Sequence, residues 1–346
     1  DVQDASVVIG YEAMRYNNTT DSQIPLNTAV GYQAGRGNSD IANYAGGFYN
    51  SYFGSQAGYA TSKGALNVAV GNGALFTNTV GNKSSALGYG ALSAQDPAGD
   101  HTASNVDMFN TALGYEAGAA VTTGTNNTIV GAQAGHALEG EDHNTLVGYE
   151  AGGALTTGRL NTVVGSIAND ADTKGWSTVA IGVGAFTAQN FTSGTDSANE
   201  TKNTGVGYYA GATNSSGIRN TFIGSNAGYG TDDGSSNVAV GASALVANCG
   251  DHNTAVGNAA GEAVTGSYNT LIGSLAGDAI NSGADNVAVG YGALSTEDTG
   301  KNSVAVGTGA LTAQNTTDAA NNAQNTAVGH SAGNSLTTSI ASTFIG

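Results

Sequence analysis

The chain has 346 residues, of which 40% are hydrophobic and only 10% charged, and its 9 Lys and Arg against 26 Asp and Glu give a formal net charge of −17. That balance opposes binding to nucleic acid or to an anionic membrane surface, and no apolar run approaches the ~20 residues of a membrane helix. The single cysteine, Cys249, excludes an intrachain disulfide, while 54 Gly and 2 Pro point to tight turns rather than helices.

A large apolar residue followed by Gly returns along nearly the whole chain. Gly10, Gly31 and Gly54 are 21 and 23 residues apart, so insertions lie near 14–26 and 36–49. Gly54, Gly71 and Gly88 then follow at steps of 17. An insertion near 94–109 leads to Gly114, and four more steps of 17 run through Gly131, Gly148, Gly165 and Gly182. The insertion near 188–202 precedes Gly207, from which Gly224, Gly241, Gly257, Gly273, Gly290 and Gly307 succeed one another at 16 or 17 residues. A last insertion, near 313–324, precedes Gly329 and Gly346. A unit this short cannot bury a core alone, so copies must stack into a solenoid. We therefore expect residues 1–346 to form one elongated, all-β domain, a two-sided parallel β-roll of about 17 residues per coil and about 19 coils. The start at Asp1 and the stop inside a repeat at Gly346 read as the edges of a mature fragment.

Alignment on the anchor glycine gives columns. The residue before it is always large and apolar, as in Val30, Val70, Val130, Val147 and Ile223. Two before it stands an apolar residue or Gly205, most often Ala, and four before it mostly Asn, including Asn127, Asn144, Asn161 and Asn220. Three after it stands Ala wherever the chain reaches that far, including Ala34, Ala134 and Ala151. One strand is expected over the Asn-Thr-x-Val segment and a second through Tyr-x-Ala. The anchor Gly would lie at the bend, where a positive φ or close backbone approach is needed. Two repeat types are visible. One carries Gly four residues after the anchor. The other carries Gly two after it and Leu or Phe four after it, as in Gly73/Leu75, Gly90/Leu92, Gly184/Phe186, Gly292/Leu294 and Gly309/Leu311. Such small-with-large pairing suggests volume compensation in a packed core.

Apolar residues both one and two before the anchor imply that both faces of the first strand are covered. One face fills the coil. The other would leave an apolar stripe larger than monomers tolerate, so we expect it to pack against identical chains, most simply as a homotrimer.

The segments Asn302-Ser303-Val304-Ala305-Val306-Gly307 and Asn67-Val68-Ala69-Val70-Gly71 resemble the head repeats of YadA-type trimeric autotransporter adhesins. The longer form, Asn220-Thr221-Phe222-Ile223-Gly224-Ser225-Asn226-Ala227-Gly228, is similar to repeats of chaperone-terminated phage tail fibres. The resemblance implies a trimeric extracellular or virion fibre that attaches to a host or a surface. This chain has longer coils than the adhesins, and neither a coiled-coil stalk nor an anchor barrel is visible in it. A surface filament or matrix protein without a specific receptor is the alternative.

Chemistry is sparsely signalled. The acid pairs Asp232/Asp233 and Glu141/Asp142 lie in turns beside Gly, where carboxylates cap. His101, His136, His143, His252 and His330 show no metal-ligand spacing, and no Gly-x-Ser-x-Gly elbow occurs. We therefore expect no enzyme, which disfavours a polysaccharide-degrading solenoid, and no cofactor. Asp96, Asp100, Asp107, Asp142, Asp232, Asp233, Asp251 and Asp285 offer the hard oxygens that Ca²⁺ takes, although no EF-hand loop or Gly-Gly-x-Gly-x-Asp nonapeptide is present. The Asn and Thr columns read as inter-coil ladders. A flat Thr array would instead bind ice, but its place on a strand with two apolar columns argues against exposure. Aromatic residues of the irregular segments, Tyr44, Tyr49, Phe109, Trp176 and Phe191, are the candidate contacts to a host glycan or protein.

Overall fold

The computed structural model describes residues 6–16, 26–37, 47–97, 106–191, 200–316 and 322–346. The central parts of all five insertions, and Tyr44, Asp100 and His101 with them, fall outside these ranges. The chain divides into two compact units, Asp1–Gly175 and Trp176–Gly346. Each is a parallel β-solenoid, and no helix occurs among the described residues.

In the first unit the strands are β1 (Val7–Ile9), β2 (Thr28–Val30), β3 (Ser51–Phe53), β4 (Val68–Val70), β5 (Gly81–Asn82), β6 (Ser85–Leu87), β7 (Val106–Asp107), β8 (Thr111–Leu113), β9 (Thr128–Val130), β10 (Thr145–Val147) and β11 (Thr162–Val164). All but β5 and β7 stack in register, Thr128 on Thr145 on Thr162 and Val130 on Val147 on Val164. β5 and β7 pair separately, the end of the 94–109 insertion lying against the coil before it. The second unit repeats this from β12 (Val179–Ile181) to β21 (Thr343–Ile345), with one three-residue strand per coil.

The expected second strand is instead a ladder of turns. Residues two and four after the anchor take left-handed φ, 55° at Gln133 and 50° at Gly135, which an extended strand does not allow. The rungs remain bonded there, since Gln133 N donates to Tyr115 O at 2.8 Å and Gly135 N to Ala151 O at 3.0 Å.

Both reasons expected for the anchor glycine hold. Gly31, Gly71, Gly131, Gly148, Gly165, Gly224, Gly241 and Gly290 have φ between 128° and 144°. A Cβ on Gly148 would lie 2.4 Å from Gly165 O, and one on Gly131 2.2 Å from Gly148 O. The glycines stack directly above one another, and nothing larger fits between rungs.

The core compensation differs from the one read in the sequence. The residue two after the anchor faces out, so the +2 glycine removes no core volume. The exchange runs between the positions two before and four after the anchor, which meet inside the coil. Ala69 accompanies Leu75, Ala180 accompanies Phe186, and Ala288 accompanies Leu294, all with no exposure. Where the later position is Gly, a large side chain from the strand takes its place. A Cβ on Gly228 would lie 2.5 Å from Phe222 Cδ1, and one on Gly152 3.0 Å from Leu146 Cδ2. Coils with two small residues borrow from both neighbours. Gly205 and Gly211 lie between Phe186 and Phe222, whose ring centroids are 6.1 Å apart. Every coil thus closes to the density a protein interior requires. Ala34, Ala134 and Ala151 complete this interior and are fully buried.

The Asn column forms the expected ladder. Asn144 N donates to Asn127 Oδ1 at 2.9 Å, Asn161 N to Asn144 Oδ1 at 3.1 Å, and Asn220 N to Asn203 Oδ1 at 2.9 Å. The same side chains donate to return turns, Asn144 Nδ2 to Gly158 O at 3.0 Å and Asn161 Nδ2 to Gly175 O at 2.9 Å. These buried amides are therefore used on both sides, whereas in the same column Asn237 Nδ2 has no partner. Three interior coils have Ser84, Thr178 or Ser303 in place of Asn. There the Gln of the shared insertion start turns inward and substitutes for it. Gln189 Nε2 donates to Thr178 Oγ1 at 3.0 Å, and Gln314 Nε2 to Ser303 Oγ at 2.9 Å. Gln95 Oε1 accepts from Ser84 Oγ at 3.1 Å and from Asn110 Nδ2 at 3.0 Å.

Candidate functional site

With the residues two and four before the anchor turned inward, strand alternation sends those one and three before it outward. The outward face of each coil therefore presents a Thr, Val or Ser beside a Val, Ile, Leu or Phe. Both columns are half-exposed in the single chain, with Val70 at 38% and Leu113 at 49%. Thr111 and Thr128 are exposed, and Thr145, Thr162, Thr221 and Thr270 half-buried, so in the single chain the Thr column faces outward, although its apolar neighbours argued against exposure. Parallel register places identical side chains at each rung, about 4.8 Å apart. Within each unit the face is flat, uncharged and mostly β-branched.

Two further columns border it. On one side stand the residues just after the anchor, among them Tyr32, Tyr89, Tyr115, Tyr149, Tyr208 and Tyr291, all exposed. Tyr89 and Tyr115 stack with centroids 5.4 Å apart and planes 10° apart. Tyr149 Oη donates to Glu150 Oε1 at 2.8 Å, and this bond raises the tyrosine pKa. On the other side stand the residues five before the anchor, each in the left-handed region. Tyr49 and Phe109 belong to this rim rather than to irregular segments, with φ of 61° and 52° and about half of each side chain exposed. Leu66 and Lys83 stand between them, so the two aromatic rings do not form one patch. Lys83 Nζ lies 4.9 Å from the Phe109 ring centroid and 2.6 Å from Asp107 Oδ2, and its hydrogen bond lowers the Asp107 pKa. Trp176 and Phe191 are half-buried, and Trp176 O accepts from Thr201 N at 3.0 Å. Reading the sequence missed the rim residues Leu66, Leu160 and Tyr268, the last stacked on His252 at 5.1 Å. Their signal was position, each immediately preceding the repeat Asn.

The turn carboxylates serve as inter-coil acceptors. Asp142 Oδ1 accepts from Thr125 N at 2.6 Å, Asp251 Oδ1 from Ser235 N at 2.8 Å, and Asp96 Oδ1 from Thr79 Oγ1 at 2.6 Å. Ser215 Oγ bonds to Asp232 in the same manner. Among the described residues no three His, Cys, Asp or Glu come together as metal ligands. His143 is exposed at the rim, and His136 Nδ1 lies 3.1 Å from Gln133 O. Cys249 is buried, and its burial pushes the thiol pKa up to about 11, far from a nucleophile's range. Among the described residues no helix is long and apolar enough to cross a membrane. No protein-family model matches the chain, and no curated protein matches it at a significant level.

Proposed function

We propose that the chain is a non-enzymatic structural and attachment element, the shaft or head of a homotrimeric fibre on a virion or cell surface. The observation that carries this reading is the outward column of Val, Ile, Leu and Phe, half-exposed and repeated at every coil. A continuous apolar column of that kind exceeds what monomers leave in water, and a second copy of the same chain offers a matching one. The number three comes from the resemblance to YadA-type heads. In such a fibre the apolar columns turn toward a common axis, and the rims remain available to meet a host glycan or protein. Weak contacts then gain strength from threefold display. The net charge of −17 keeps the outer surface soluble and disfavours nucleic acid as a partner.

Native mass measurement tests the reading directly. We expect a species of three times 34.0 kDa at micromolar concentration, and a monomer there would overturn it. A second reading, binding to ice, is favoured by the outward Thr column alone. It requires that same face to stay bare, so a monomer showing thermal hysteresis would establish it in place of the fibre.

A further inference from the structure

The column two residues after the anchor runs along the turn side of each unit, and its side chains link coil to coil. Gln33 Nε2 donates to Glu12 Oε2 at 2.8 Å, Gln56 Nε2 to Gln33 Oε1 at 3.2 Å, and Gln133 Nε2 to Glu116 Oε2 at 3.3 Å. That ladder belongs to the first unit, and in each unit the column loses its side chains at two successive glycines once, at Gly73 with Gly90 and at Gly292 with Gly309. A Cβ on Gly73 would meet nothing within 4 Å, and one on Gly292 nothing nearer than Ser295 Oγ at 4.0 Å. The solitary Gly184 differs, because the ring of Tyr209 lies across it, 2.3 Å from where its Cβ would stand. A single missing side chain is thus covered by its neighbour, whereas two in succession leave a cleft open at Gly73 and Gly292, with Glu116 Cγ 3.5 Å from a Cβ on Gly90 and Thr312 Oγ1 3.3 Å from one on Gly309.

The two clefts use similar residue types set at different rungs, with Tyr89 on the coil of the second cleft glycine and Tyr291 on the coil of the first. The first, of about 460 Å³, is lined by Gln56, Asn72, Phe76, Tyr89, Ser93 and Glu116. The second, of about 310 Å³, is lined by Asp278, Tyr291, Ser295, Thr308, Thr312 and Ser331. Tyr89 and Tyr291 follow their anchors by one residue and are more than half exposed. Ser93 and Thr312 follow theirs by five. The side chains closing each cleft at its ends are three rungs apart, about 14 Å, which accommodates one or two pyranose rings. No Lys, Arg or His lines either cleft, while Glu116 and Asp278 place a carboxylate in each.

We propose that these twin clefts are binding subsites for neutral saccharides. The exposed tyrosine offers an apolar face to the C–H side of a sugar ring. The hydroxyl, amide and carboxylate groups opposite it match the ring hydroxyls, in the arrangement of convergent polar groups beside an apolar wall that ligand sites use. The carboxylates and the chain's net charge repel sialylated, sulfated or phosphorylated sugars. As the contact surface of a fibre the proposal rests on the attachment reading, but saccharide binding is a property of the chain measurable without it.

The test is saturation-transfer NMR and calorimetry on the full chain with maltotriose, cellotriose and triacetylchitotriose, and with 3′-sialyllactose for comparison. We expect saturable binding of at least one neutral trisaccharide and none of sialyllactose. The quadruple variant G73Q/G90Q/G292Q/G309Q refills both gaps with the residue that Gln56 and Gln133 already supply in left-handed geometry. It should weaken binding at least tenfold with native mass unchanged. Y89A/Y291A, which removes only the walls, should weaken it several-fold. The proposal is overturned if the parent binds none of the neutral sugars, if it binds sialyllactose equally, or if both variants bind like the parent. Native mass is read separately, so a trimer that binds no sugar would sink the clefts and spare the fibre.

Discussion

A methyl group on an anchor glycine has no space to occupy, whereas one on a cleft glycine does. Gly148 has φ 139°, and its Cβ would lie 2.4 Å from the next rung's carbonyl oxygen; Gly73 has φ 66° and open space. The left-handed region itself costs an ordinary residue about 1–2 kcal/mol. Gly73→Ala should therefore lower stability by about 1 kcal/mol, a cost that Gln56 and Gln133 already bear at the same column. Gly148→Ala adds a backbone collision, and we expect about 3 kcal/mol or more. Chemical denaturation of the two variants side by side checks this, and equal losses would show that rung spacing is not what selects the anchor glycine. At the same scale, an Asp faces desolvation in each unit. Burial raises the pKa of Asp170, with Glu150 adding to the shift, and raises that of Asp278, with Glu262 adding to it. Their contribution to folding is favourable below the ordinary Asp value and is lost as pH rises through the raised one.

Between coils the rule is exchange of volume, and it predicts which paired changes are silent. Ala239 and Leu245 share a coil and are both fully buried. Ala239→Leu alone overfills that coil, by about 1–3 kcal/mol of strain. Leu245→Gly alone leaves a void that costs about 3 kcal/mol or more. The double variant reproduces the Leu146/Gly152 and Leu271/Gly277 type of coil, so thermal denaturation should show it more stable than either single variant. Strictly additive losses would refute the exchange. Much of this was legible beforehand, since the buried Asn and Ala columns can be read from period alone. The pairing partner was not, because period 17 says which residues recur and not which of two outward or inward directions a turn residue takes. The same limit hid the role of Gln95, Gln189 and Gln314. Their shared position at the start of an insertion was visible, but their inward turn toward Ser84, Thr178 and Ser303 depends on the fold.

At the scale of the molecule, the association proposed above rests on the outward apolar column of each unit. Val130 and Val147 in the first unit, with Ile223 and Val240 in the second, point away from their own cores. Changing all four to Lys leaves each coil interior intact and puts charges into the proposed shared face, where unpaired burial is strongly unfavourable. We expect circular dichroism like the parent's and a native mass of 34.0 kDa. Persistence of the parent's oligomer would show that association uses another surface.

From the sequence alone came the repeat, its coil length, the obligatory glycine at each bend and the interior ladders of Asn and Ala. These follow because a 17-residue coil has one inside, and residues that must be there recur at fixed spacing. The tertiary structure alone decided which columns meet across the coil, that the second side is built of turns, that the Thr column and the rim face outward, and that two successive glycines open a cleft where one does not. Those features arise from contacts between a side chain and the coil above or below it, and such contacts depend on backbone direction at left-handed positions that many residue types occupy here.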